Sequence, residues 1–222
     1  MDEVKIIELK ESIVGSNDED AERLRKELDK KGIFYINVMS GPGSGKTTLL
    51  CNLIGKLKGE FTVGVMEADI DGDVDTYRVI EAGAKAIQLH TGGMCHLDAG
   101  MSEEGLAELG NADIVFLENI GNLVCPAEFD TGAHIKLVLL SVTEGDDKPL
   151  KYSLMFGVAD AVAVTKFDAK DYFDFDMERC RKNIAKVNGR AEIFTLSAKK
   201  DEGVKELAEW IKKEYREWKN RI

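Results

Sequence analysis

The sequence has no excess of positive charge. Thirty Lys and Arg stand against 41 Asp and Glu, for a net charge of −11. A protein that binds nucleic acid by neutralising phosphates needs the opposite sign, as does one drawn to an anionic membrane surface. Neither partner is expected. No apolar run approaches the ~20 residues that span a bilayer. Residues 1–12 contain no basic segment followed by an apolar one, so no export signal is read and the cytoplasm is the expected compartment. Aromatics are few, at 7%. Cysteines are few and dispersed: Cys51, Cys95, Cys125 and Cys180, with no C-x-x-C pair. That excludes a disulfide scaffold and leaves core packing, redox chemistry or metal ligation. What remains, 44% apolar and 32% charged in 222 residues, suits a globular α/β chain with its own core.

The chain divides into an N-terminal extension, 1–32, and a domain over 33–222. Within the extension, 19–31 reads as a peripheral helix, with Asn17 or Ser16 as cap, a thin stripe of Ala21, Leu24 and Leu28, and Gly32 as stop. Strands and helices then alternate. Strands are expected at 33–39, 61–68, 84–89, 114–117, 137–142, 161–165 and 193–196, and helices at 47–57, 74–82 and 103–109, the last capped by Ser102. A final helix carries Val204, Leu207, Ala208, Ile211, Tyr215 and Trp218 on one face. This pattern predicts an α/β fold with a doubly wound, mostly parallel sheet of about seven strands.

The strongest motif is Ser40-Gly41-Pro42-Gly43-Ser44-Gly45-Lys46-Thr47-Thr48, between a buried strand and a helix. Glycines let backbone N–H groups turn inward onto phosphate oxygens, and the helix N-terminus adds positive partial charge. Lys46 is placed to reach the β- and γ-phosphates, and the Thr47 hydroxyl suits Mg²⁺. Ser40 stands where the general pattern has its first glycine. No G-x-G-x-x-G can be laid on residues 41–46, which argues against a dinucleotide cofactor.

Two later strand ends point to the base. Thr165-Lys166-Phe167-Asp168 and Ser197-Ala198-Lys199 resemble the N-K-x-D and S-A-K loops of GTPases. By that resemblance Asp168 accepts from guanine N1–H and its amine, Lys166 lies along the base plane, and the Ala198 N–H meets guanine O6. A carboxylate at Asp168 would oppose an adenine acceptor. Thr165 stands where the usual motif has Asn. Asp69 and Asp75 follow the second strand and are expected on the magnesium side with Thr47; Glu118, at a strand tip, is expected to orient the metal or its water. Lys46, Thr47, Asp75 and Glu118 are thus the candidate catalytic set. Glu118-Asn-Ile-Gly121 resembles the D-x-x-G turn, with the Gly121 N–H sensing a γ-phosphate. The acidic run 69–75 lacks the final bidentate Glu of a calcium loop.

Three soft donors, Cys95, His96 and Cys125, fall in the two loops that follow the third and fourth predicted strands, which are read as adjacent, so both loops are expected at the carboxyl edge of the sheet. Thiolate with imidazole selects Zn²⁺ or Ni²⁺ over Mg²⁺ or Ca²⁺, and three ligands leave a tetrahedral site incomplete. Cys51 and Cys180 read as core, and His90 and His134 as polar surface or supporting groups.

Together, S-G-P-G-S-G-K-T-T, T-G-G-M-C-H-L-D-A, E-N-I-G-N-L-V-C-P and D-K-P-L-K-Y resemble the HypB family of hydrogenase nickel-incorporation GTPases, from about residue 33 to the end. The resemblance implies the P-loop (phosphate-loop) NTPase fold and a GTPase of its signal-recognition and MinD-like class, using GTP/GDP with Mg²⁺. It implies nickel or zinc at Cys95, His96 and Cys125, a nucleotide- or metal-dependent homodimer, a companion nickel carrier HypA, and a hydrogenase large subunit as recipient. Residues 1–32 hold neither Cys nor His, so the tight N-terminal nickel site of some members is not expected. Slow hydrolysis is expected because no water-positioning Gln is evident. Lys148 is a candidate for contacting nucleotide or a partner subunit. Competing readings are a urease-type nickel GTPase, whose metal Cys and His share one C-P-H segment, a small-molecule kinase, which would want a basic lid at 144–151, and a metal buffer that only senses nucleotide.

Overall fold

A computed structural model describes residues 6–8, 17–69 and 74–222. Among the described residues eight strands form one sheet: β1 (Ile6–Glu8), β2 (Phe34–Ser40), β3 (Val63–Asp69), β4 (Lys85–His90), β5 (Ile114–Gly121), β6 (Ile135–Ser141), β7 (Ala161–Thr165) and β8 (Glu192–Thr195), in the order β1-β4-β3-β5-β2-β6-β7-β8. Every pairing is parallel. The seven strands read from the alternation are all present, and β1 adds a short edge strand that the irregular start of the chain did not signal. The longer helices are α1 (Asn17–Lys31), α2 (Lys46–Leu57), α3 (Val74–Ala82), α4 (Ala99–Leu109), α8 (Met177–Val187) and α9 (Val204–Lys219). Short helices α5 (Cys125–Glu128), α6 (Lys148–Lys151) and α7 (Ser153–Gly157) interrupt the loops after β5 and β6. No helix among the described residues is long and apolar enough to cross a membrane.

Both faces of the sheet are covered, which is why its central strands are continuously apolar. Successive side chains of β2 point opposite ways. Phe34, Ile36 and Val38 pack with Leu49, Leu53 and Leu57 of α2 and with Leu207, Ile211 and Trp218 of α9. Tyr35 joins Leu24 and Leu28 of α1 and Met101, Leu106 and Leu109 of α4 on the other face. Cys180 is buried among Val138, Leu140, Val162 and Ile184, and Cys51 packs half-buried against the α2 cluster, as their core assignment requires.

Several local expectations need correction. α4 starts at Ala99, not 103, because the Asp98 carboxylate accepts from Met101 N–H at 2.8 Å and so caps a helix four residues longer. Asn17 is the first residue of α1, and the alternative cap, Ser16, lies outside the described residues; the Asn17 amide donates to Asp130 O at 3.1 Å and accepts from Ala99 N–H at 3.0 Å, tying α1 to α4. β5 runs on to Gly121, which places Glu118 inside the strand. His134 is interior. Its Nδ1 accepts from Tyr35 N–H (2.9 Å), which leaves Nε2 to donate to Asp29 (3.1 Å), and Phe34 stacks on its ring; burial lowers its pKa.

Candidate functional site

The phosphate loop follows from β2 ending where α2 begins. Gly43 (φ 73°) and Gly45 (φ 93°) occupy the left-handed region that glycine tolerates without strain. Ser40 does not need that freedom. As the last residue of β2 it is buried, its Oγ donates to Gly41 O at 2.7 Å, and it accepts from Lys46 Nζ at 3.2 Å. The serine is therefore the resting partner of Lys46. Ser44 Oγ donates to Glu144 Oε2 at 2.8 Å, and the same oxygen accepts from Ser141 N–H at 2.8 Å. A Cβ on Gly41 would strike that carboxylate.

A cavity of about 320 Å³ opens over this loop, lined by Lys46, Thr47, Asp75, Arg78, Glu67 and Glu118 among others. Thr47 Oγ1 donates to Glu118 Oε1 at 3.0 Å. Glu67 on β3 is the register partner of Glu118 on β5, so their carboxylates meet in the interior. Burial raises the pKa of both; the neighbouring Glu118 charge drives Glu67 well above the usual range, while Lys46 restrains Glu118. With both ionised, Glu67 Oε1 and Glu118 Oε2 are buried without a donor. One proton held between them, or a cation before them, removes that cost. The donors are all oxygen, hard, and beside the lysine and threonine of a phosphate loop, so they fit hydrated Mg²⁺ rather than a soft metal. Asp75, at the start of α3, lines the cavity and accepts from Arg78 at 2.8 Å. Asp69 ends β3, and its side chain lies outside the described atoms.

A second cavity, of about 300 Å³, is lined by Ser44, Gly45, Thr48, Thr165, Lys166, Asp168, Ser197, Ala198 and Lys199, so all five expected base-reading residues meet in one place. Gly45 and Thr48 line both cavities. Thr165 Oγ1 donates to Ser44 O at 2.8 Å, and Lys166 Nζ to Gly43 O at 2.7 Å, which binds the base loop to the phosphate loop. Ser197 hydrogen-bonds Asp168 and lowers its pKa, keeping it an acceptor. Asn52 of α2 donates to Ala198 O at 2.5 Å and fixes the second loop.

The soft donors lie on the same carboxyl edge. The Cys95 thiol donates to Cys125 Sγ at 3.0 Å, and Cys125 raises the Cys95 pKa. The loops do not follow neighbouring strands, because β3 lies between β4 and β5; they meet across its end. His96 Nδ1 is 3.9 Å from Cys95 Sγ, and its ring is stacked on Phe129, centroids 3.7 Å apart. Among the described residues no three Cys, His, Asp or Glu groups already converge as ligands. The thiols are paired, and the imidazole lies beside Cys95 with its ring held against Phe129.

Residues 35–195 match the family described as CobW/HypB/UreG, nucleotide-binding domain. The hydrogenase maturation factor HypB of Rhizobium leguminosarum bv. viciae is 44% identical over 215 residues, covering 95% of this chain and 71% of the relative. The chain belongs to the HypB family. Its fold agrees: the crystal structure of HypB from Helicobacter pylori in complex with nickel matches with a TM-score of 0.86 at 38% identity, covering 91% of this chain and 96% of that one. HypB from Archaeoglobus fulgidus matches at 0.85 and 34% identity, covering 91% and 100%. Within this HypB-family chain, sequence reasoning missed Glu67, Arg78, Glu144 and Asn52. Glu67 left a signal, an acidic residue inside an otherwise apolar buried strand, and Arg78 left a weaker one, its i,i+3 spacing from Asp75.

Proposed function

We propose that this chain is a GTP-hydrolysing metallochaperone that delivers nickel during maturation of a nickel-iron hydrogenase. The observation that carries this is the placement of the Cys95–Cys125 thiol pair and the phosphate cavity on one sheet edge, with β5 leading from Glu118 to the loop that holds Cys125. Gly41, Gly43, Ser44, Gly45, Lys46, Thr47 and Thr48 hold the phosphates. Lys166, Asp168, Ser197, Ala198 and Lys199 read guanine. Thr47 and Asp75, with Asp69 as the further candidate from the sequence, would hold Mg²⁺, which when bound would neutralise charge on the phosphate oxygens. Lys46 leaves Ser40 for the phosphates, and Glu118 holds the Thr47 hydroxyl in place. No described side chain stands out as a water-orienting Gln, so intrinsic turnover is slow.

The cargo is Ni²⁺, with Zn²⁺ as competitor, bound by Cys95 and Cys125 with His96 released from Phe129. Two thiolates per protomer leave the coordination open, so a homodimer sharing the ion completes it. The nickel-bound Helicobacter pylori relative supports this cargo. The companion carrier HypA and the hydrogenase large subunit are the proposed donor and recipient, in the cytoplasm. The test is a nickel and zinc titration of wild type and Cys95→Ala, followed by thiolate absorption, with GDP or a non-hydrolysable GTP analogue, and mass by light scattering. Metal affinity should differ between the nucleotides in wild type and fall in the variant. Identical affinity in both nucleotide states removes the coupling.

A further inference from the structure

The soft donors ride on two loops whose strands, β4 and β5, are separated by β3, so no backbone ladder joins them directly. Their separation has to be fixed by side chains. Cys95 and His96 lie just before α4, which begins at Ala99; Cys125 opens α5, and Phe129 and Asp130 follow it. The Asn17 side chain reaches both segments. Its Oδ1 accepts from Ala99 N–H at 3.0 Å, and its Nδ2 donates to Asp130 O at 3.1 Å. One carboxamide thus joins backbone three residues after His96 to backbone one residue after Phe129, the ring on which His96 is stacked. An amide carries its acceptor and its donors on separate atoms of one planar group, so it can bridge an N–H and a carbonyl at once. The rest of α1 braces the same region: Arg25 donates to Ala133 O at 3.1 Å and pairs with Asp130, and Arg23 pairs with Glu103 of α4 at 2.8 Å.

We propose that Asn17 is a positioning residue for the soft-metal site: it staples the Cys95–His96 loop to the Cys125–Phe129 loop at a spacing that holds the two thiols together before metal arrives. This rests on the nickel reading given above. With the loops stapled, Cys95 Sγ lies 3.0 Å from Cys125 Sγ. An entering ion therefore meets two sulfurs already assembled, and only the His96 ring has to turn. Preassembly spares the ion the cost of ordering both loops.

The experiment titrates Ni²⁺ into the full chain, wild type, Asn17→Ala, Asn17→Asp and Arg23→Ala, following thiolate-to-nickel absorption, and records thermal unfolding without metal. Asn17→Ala should lose about tenfold in Ni²⁺ affinity, the low end for a group that supports metal ligands. Asn17→Asp keeps an acceptor for Ala99 N–H but sets a carboxylate against the Asp130 carbonyl. It should lose at least as much Ni²⁺ affinity as Asn17→Ala, while its Tm stays near wild type, because a carboxylate suits the N-termini of α1 and α4. Arg23→Ala loosens α1 from α4 without touching either loop and should keep wild-type Ni²⁺ affinity. If α1 only packed against the domain, affinity would follow Tm across the four proteins. Wild-type affinity in Asn17→Ala or Asn17→Asp, or an equal loss in Arg23→Ala, overturns the proposal. Absence of thiolate-to-nickel absorption in the wild type would instead overturn the nickel reading on which it stands.

Discussion

Gly121 offers the sharpest test of how closely β5 and the phosphate loop are fitted together. A Cβ built there would lie 2.9 Å from Pro42 Cα and 3.2 Å from Pro42 N and Cβ. The contact is with backbone and a rigid ring, so no flexible side chain can move aside. Gly121 is not among the residues at positive φ, which makes the demand for glycine one of space alone. Overpacking of this kind costs about 1–3 kcal/mol, which for a chain of this size lowers Tm by about 2–12 °C. Any relief must come from moving Pro42, which disturbs the Gly43 and Gly45 amides next to it. Gly121→Ala should therefore lose on the order of tenfold in GDP affinity as well as stability, since tenfold corresponds to about 1.4 kcal/mol. Gly55→Ala is the matched control. It lies inside α2, a Cβ there meets nothing within 4 Å, and the helix should gain about 0.5–1 kcal/mol. Thermal unfolding with and without GDP, and calorimetric GDP titration, read both. A Gly121→Ala protein with wild-type Tm and wild-type GDP affinity would refute the close-fit reasoning.

Asp168→Asn exchanges a carboxylate acceptor for an amide, and should lower GDP affinity about 10- to 100-fold while improving binding of a xanthine nucleotide, whose ring offers an acceptor in place of the guanine amine; an unchanged ranking of GDP, XDP and ADP in competition binding would refute it. Glu67→Gln tests the buried pair. The folded carboxyl of Glu67 holds its proton above the ordinary 4.5, so its contribution to stability is full below that value and lost as pH rises through the raised pKa. Without nucleotide or Mg²⁺, wild type should lose stability between about pH 5 and about pH 8 more steeply than the uncharged variant. Urea midpoints at both pH values check this, and parallel pH profiles count against it.

The parts of the site that the sequence made legible are those whose chemistry is local along the chain. The phosphate loop packs its donors into nine residues, and the base loops announce themselves at strand ends. The parts that were not legible depend on register and topology. Glu67 becomes a partner of Glu118 only through the β3–β5 register. The Asp75–Arg78 spacing is visible as an i,i+3 pair, but the bond from Arg78 to Thr48 requires α2 and α3 to lie side by side. The thiols also met for a reason other than the expected one. Placing β3 between β4 and β5 separates the strands, and the loops are long enough to close over the gap. His134 was misjudged because a polar residue before β6 gives no hint that Asp29 and Tyr35 will satisfy it from other elements.

A parallel sheet delivers every strand's carboxyl end to one edge, so a phosphate site and a thiol pair on a common edge follow from topology. That one segment serves both does not. Glu118 receives the Thr47 hydroxyl, Gly121 is pressed against Pro42, Asn122 holds Val124 N–H at 2.9 Å and lies 3.5 Å from Cys95 O, and Cys125 begins α5 against the Cys95 thiol. Interiors packed this closely transmit a displacement rather than absorb it. A phosphate that shifts Pro42 must therefore shift Gly121, or be resisted by it. From Gly121 the Asn122 turn leads directly to both thiol loops. The free energy linking nucleotide and metal is the same whichever ligand binds first, so nickel at the thiols must alter guanine-nucleotide affinity by the factor with which that nucleotide alters nickel affinity. Measuring both factors on one preparation closes the cycle, and unequal factors would mean that the two ligands do not report on a single equilibrium of this chain.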